Sequence, residues 1–157
     1  MRVLGVDCGS EATGFGLIDS DGHQHRAVTS GTIRLRGDGS FAVKLHRIHT
    51  CISELLAEHG PDCVAIEDIF YAKNVRSALK LGHVRGVVMQ AAAAREVAVA
   101  EYTPLAIKSA LTGYGRAEKM QVQRMVCSLL GLREAPNSLD ASDALAVAIC
   151  HVHTQRR

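Results

Sequence analysis

The sequence predicts a single α/β domain, residues 1–157, built on a five-stranded mixed sheet flanked by helices. Three observations predict it. Residues 2 to about 34 carry short apolar runs separated by glycine and Asp-Gly turn signals, the mark of consecutive strands. From Phe41 onward the apolar residues recur every three or four positions, which is helical spacing. Two later short apolar runs, near 62–68 and 98–102, are each set between helical patterns.

Residues 2–8 read as the first strand, and the glycines after it turn the chain into a second near Thr13 to Ile18. "DSDGHQH" (Asp19 to His25) holds an Asp-Gly turn, and a third strand runs on to about Arg34. Ser40 is placed to cap a helix whose stripe is Phe41, Leu45, Ile48, Ile52 and Leu55, and Gly60-Pro61 stops it. "DCVAIED" (Asp62 to Asp68) is a short strand ending in acid. A long helix is expected over Ser77 to Val97, then a strand in "AVAEYTP", and Thr103-Pro104 opens another helix. After the glycine loop Gly113 to Lys119 a helix carries Val122, Met125, Val126, Leu129 and Leu130, and a final one starts after Pro136 to Ser138.

Composition narrows the function classes. An apolar content of 47% with 22% charged residues describes a soluble folded protein without long disorder. The net charge of +2 is too small to indicate a nucleic-acid partner without a local basic patch. Five cysteines without a C-x-x-C pair speak against a disulfide framework or a zinc ribbon, and fit reduced thiols. With neither a signal-like leader nor a membrane-length apolar run, the expectation is a cytoplasmic protein with no membrane partner.

The chemistry lies in the acids. Period-two logic puts Val3, Gly5 and Asp7 on one face of the first strand. In the 62–68 strand Cys63, Ala65 and Glu67 share one face, while Val64, Ile66 and Asp68 share the other, so either acid is a candidate. Both strands deliver a carboxylate at their C-terminal ends, where open α/β sheets place their sites. Asp140 and Asp143, three apart, project from one side of the last helix. Singly, each acid reads as a cap, an ion-pair partner or a complement to the helix dipole. Gathered together they repel unless a cation lies between them, and an all-oxygen set selects hard Mg²⁺ or Mn²⁺. The histidine pairs His46/His49 and His151/His153 match no metal motif and read as packing or surface residues.

The ordered segments "GVDCGS…TGFG", "AIEDIFYAKNVRSALKLGHVRG", "YTPLAIKSALTGYGRAEKMQVQRMV" and "LDASDALAVAICH" resemble the RuvC family of bacterial Holliday-junction resolvases over nearly the whole chain. The resemblance implies an RNase H-like fold and a nuclease. It places the four catalytic, metal-holding acids at Asp7, Glu67, Asp140 and Asp143, and so selects Glu67 over Asp68. The glycines from Gly5 to Gly16 then read as room for metal and phosphate to approach Asp7. The resemblance also places a loop aromatic at Phe70 and substrate-handling lysines at Lys108 and Lys119, the latter serving catalysis. Cys8 departs from the family, which usually has proline there; a thiol beside the site is expected to add sensitivity to oxidation or thiophilic metals.

The family pattern further implies phosphodiester hydrolysis with two Mg²⁺ per site, Mn²⁺ substituting, leaving 5′-phosphate and 3′-hydroxyl ends. Phosphate neutralisation requires cations near the acids, and Lys73, Arg76, Lys80, Lys108, Arg116, Lys119 and Arg124 are the candidates. Phe70 and Tyr71 are placed to stack on an unpaired base. The implied partners are four-way junction DNA, a second copy forming a homodimer, and the branch-migration helicase complex of the resolvasome. The rival readings are another RNase H-like nuclease acting on RNA or replication intermediates, an actin-like ATPase, and a non-catalytic DNA-binding module. An ATPase of that kind needs two related halves, and the chain has one.

Overall fold

Alternating apolar residues at the N-terminus form three antiparallel strands, β1 (Arg2–Asp7), β2 (Ala12–Ser20) and β3 (His25–Arg34). The computed structural model of the chain describes residues 1–37, 39–68 and 74–155. Two further strands, β4 (Cys63–Glu67) and β5 (Ala98–Tyr102), join parallel to β1 and complete the sheet in the order β3-β2-β1-β4-β5. The helices are α1 (Phe41–His59), α2 (Val75–Ala93), α3 (Pro104–Thr112), α4 (Lys119–Leu129) and α5 (Leu139–Thr154). Element order is as the periodicity predicts.

Local chemistry sets the helix ends. Ser40, Asn74, Thr103 and Ser138 accept backbone N–H groups in the first turns of α1, α2, α3 and α5, and Gly60 and Gly113 close α1 and α3 in the left-handed conformation. Glu118 and Gln121 start α4 as a capping box. The long helix ends at Ala93, short of the expected Val97. Glu96 takes φ 56°, and Val97 folds back to donate to the Ala92 carbonyl and pack inward. Burying that valine outweighs another helical turn of exposed Arg95 and Glu96.

Each face of the sheet has its own core. Leu4, Val6, Val64 and Ile66 pack beneath α1 and α2 with Ile48, Ile52, Val84 and Val88. Val3 and Ala65 point to the other face and meet α3, α4 and α5 through Ile107, Val126, Leu145 and Ile149. The strand alternation therefore assigns Asp7 and Glu67 to the α5 side. No helix among the described residues is long and apolar enough to cross a membrane.

The glycines of β1 and β2 are explained by α5. A Cβ on Gly5 would stand 2.0 Å from the Ala144 carbonyl oxygen, and one on Gly14 would stand 2.0 Å from that of Asp140. One on Gly16 would meet Leu145 Cγ at 2.7 Å. These glycines form a lane in which the helix lies directly on the strands, so the room they leave is filled by protein backbone.

Candidate active site

Asp7 ends β1 and Glu67 ends β4, on adjacent parallel strands paired from Val3↔Cys63 to Val6↔Ile66. Asp143 arrives from the second turn of α5. These three carboxylates line one cavity of ≈ 360 Å³ with Lys108 of α3, Lys119 of α4 and an apolar wall that includes Ile107, Val122 and Val147. Asp140 lies one turn earlier in α5 and does not line the cavity, but its charge acts on both Asp7 and Lys119.

The electrostatics show how unfavourable this grouping is for bare carboxylates. Asp7 is pushed up to about 7, first by burial and then by the charges of Glu67, Asp143 and Asp140. Glu67 is raised for the same leading reason, with Asp143 next. The pair shares a hydrogen bond in which Asp7, holding the proton, donates to Glu67. Lys119 Nζ lies 2.6 Å from Asp143 Oδ2, and that bond holds its ammonium above the ordinary lysine value. A proton and an ammonium thus neutralise part of the acid set.

This donor set fits divalent cations. It is all oxygen, half-buried, and under a repulsion that positive charge relieves. Among the described residues no group of three His, Cys, Asp or Glu side chains is already arranged to hold one ion.

The crossover junction endodeoxyribonuclease RuvC family model matches residues 3–151. The chain belongs to this family. A RuvC crossover junction endodeoxyribonuclease of Koribacter versatilis is 52% identical over 155 residues, spanning 98% of this chain and 93% of its own length. The structure of Thermus thermophilus RuvC superposes with a TM-score of 0.92 at 33% identity, covering 99% of this chain and 96% of that one. Thermus thermophilus RuvC in complex with a Holliday junction substrate gives 0.91 at 31% identity, with 99% and 96% covered. The five-stranded mixed sheet with its flanking helices is the RNase H-like fold of this family.

The structure also separates the two acids at the end of β4. Asp68 points to the opposite face, where Arg85 of α2 reaches it with Nη1 to Oδ1 at 3.1 Å and pairs with Glu101 of β5 as well. Sequence reasoning did not find this clamp. Its available signal was an arginine one position after Val84 on the buried stripe of α2.

Among the expected DNA contacts, Lys108 and Lys119 line the acid cavity. Arg116 and Arg124 are exposed, in the α3–α4 loop and on α4. Arg76 is exposed in the first turn of α2, and Lys80 lies over the Phe41 ring, 5.6 Å from its centroid. Phe70, Tyr71 and Lys73 lie outside the described residues. Cys8 packs against the core on the α1/α2 side, and burial, with the charge of Asp7 next, pushes its thiol up to about 12. A thiol held protonated is a poor nucleophile, so this shift opposes the expected oxidation sensitivity.

Proposed function

We propose that the chain is a structure-selective endonuclease that resolves four-way DNA junctions by paired symmetric nicks, with Asp7, Glu67, Asp140 and Asp143 holding the divalent cations. One observation carries the reading: half-buried carboxylates from two adjacent strands and from α5 converge on a cavity that also presents two lysines. When bound, two Mg²⁺ supply Lewis acidity toward the scissile phosphate and the attacking water. The chain's own residues do the rest. Asp7 and Glu67 ionise to anchor the cationic centre, and α5 fixes Asp143 opposite them. Lys119 leaves Asp143 to meet the charge that develops on the phosphate, and Lys108 orients the adjoining phosphodiester. Phe70 and Tyr71 stack on an opened base, and Lys73, Arg76, Lys80 and Arg116 neutralise flanking phosphates.

The domain 1–157 acts as a cytoplasmic homodimer, since two symmetric strands require two sites related by a two-fold axis. An apolar groove between α1 and α2, where Val75 is 77% and Leu79 60% exposed, supports a subunit contact there. The branch-migration helicase complex is the cellular partner in this reading.

The Asp7→Asn variant tests the assignment. It should bind a mobile four-way junction in Ca²⁺ and fail to nick it in Mg²⁺ or Mn²⁺; retained nicking would remove Asp7 from the centre. Equal cleavage of linear duplex or RNA–DNA hybrid by the unsubstituted chain would favour a broader nuclease.

A further inference from the structure

A second cluster of potential ligands sits at the other end of α5, outside the acid cavity. His25, the first residue of β3, and His153, in the last turn of α5, point their Nε2 atoms at each other across 3.2 Å. His25 is 9% exposed. The outer nitrogens are also held: His153 Nδ1 lies 3.0 Å from the Ala110 carbonyl oxygen of α3, and His25 Nδ1 lies 2.8 Å from Ser20 Oγ.

With both imidazoles neutral, these contacts are met by one pair of tautomers. The Ala110 carbonyl only accepts, so His153 donates from Nδ1, and its neutral Nε2 carries a lone pair facing His25. His25 therefore donates from Nε2, and Ser20 Oγ donates to its Nδ1 while accepting from the Gly22 amide at 3.0 Å. A proton shift within His25, from Nε2 to Nδ1, would aim both Nε2 lone pairs into the same gap. Nδ1–H would then donate to Ser20 Oγ, the orienting arrangement of metal-bound imidazoles. No net proton is released in the change.

We infer that His25 and His153 form a second metal site, which takes a borderline divalent cation such as Zn²⁺ through the two Nε2 atoms. The spacing supports it. Zn–N bonds of about 2.0–2.1 Å in a tetrahedron separate two ligand atoms by about 3.3 Å, against the 3.2 Å observed. The ring planes are inclined at 51°, so neither imidazole covers the other's nitrogen. A pocket of ≈ 640 Å³ lined by Ser20, Asp21 and Gln24 reaches His25 from solvent. Among the described residues no third His, Cys, Asp or Glu joins the pair, so water completes the shell. The ligand chemistry separates the two centres: imidazoles here suit Zn²⁺, while the carboxylates of the cavity suit Mg²⁺. Occupancy would tie the start of β3 to the end of α5 and, through Ala110, to α3.

The test is Zn²⁺ titration of the full chain at pH 7.5 in an Asp7→Asn, Asp143→Asn background, which weakens the competing carboxylate centre. One equivalent should bind. Adding His25→Gln or His153→Gln should each weaken it by about a hundred-fold, and Ser20→Ala, which keeps both imidazoles, by about ten-fold. X-ray absorption of the loaded chain should show two imidazole nitrogens at about 2.0 Å. That spectrum needs no histidine variant, so it decides the matter even where one fails to fold. Unchanged affinity in folded histidine variants, absence of Zn²⁺ binding, or a sulfur-ligated spectrum would each overturn the inference.

Discussion

Asp7 should destabilise the metal-free protein, and removing its charge should make the fold stronger. Raising a carboxyl from 3.8 to about 7 corresponds to about 4 kcal/mol against the ionised form inside the fold. The sign comes from proton counts. Between pH 3.8 and about 7 the folded chain holds a proton on Asp7 that the unfolded chain has released, so stability falls as pH rises through that window. Above it the full penalty applies; below 3.8 none remains. Asn keeps the shape and donates to Glu67 without the charge. In EDTA at pH 8, Asp7→Asn should gain up to about 4 kcal/mol, a rise in Tm on the order of 10 °C. Urea unfolding of both chains at pH 8 and pH 4 measures it, with the gap nearly closed at pH 4. Ca²⁺ should then stabilise the unsubstituted chain and leave the variant almost unmoved. A variant equally or less stable at pH 8, or a gap that persists at pH 4, would refute the reasoning.

Three further outcomes are expected. Lys119→Met should cut Mg²⁺-driven nicking by about a hundred-fold while junction binding, read by gel shift, changes only a few-fold; full-rate cleavage would release Lys119 from the mechanism. Gly14→Ala places a Cβ against the Asp140 carbonyl oxygen, so α5 must lift. A loss of about 1–3 kcal/mol in urea and a steep fall in nicking should accompany it. Cys8, at about 12 rather than 9.0, holds about a thousand-fold less thiolate at pH 8. Iodoacetamide should therefore label it far more slowly in the folded chain than in urea, as peptide mass spectrometry would show.

Much of this molecule was legible in advance, for identifiable reasons. Strand alternation fixed which neighbours share a face with Asp7 and which with Glu67, because each side of the sheet is buried; the register Val3↔Cys63 to Val6↔Ile66 then joined the two faces. The helix stripe from Phe41 was equally plain, with capping residues at both ends. The choice between Glu67 and Asp68 was different. Periodicity separated their faces but did not say which face held the site, and the family resemblance supplied that. The glycines of β1 and β2 were misread as space for metal and phosphate. Their reason is the approach of a helix more than a hundred residues later, which no local pattern announces. Arg85 stayed hidden likewise, since its two carboxylate partners come from different strands.

That glycine lane gives the site a mechanical stop. Where side chains space a helix from a sheet, every change of core volume shifts the gap between them. Here the main chain of α5 rests on the main chain of β1 and β2 at Gly5 and Gly14, close to the acids themselves. The separation of Asp143 from Asp7 is gauged by hard atomic contact, which no repacking of leucine or valine resets. Apolar substitutions elsewhere in the core should therefore cost stability long before they detune the distances on which cleavage depends.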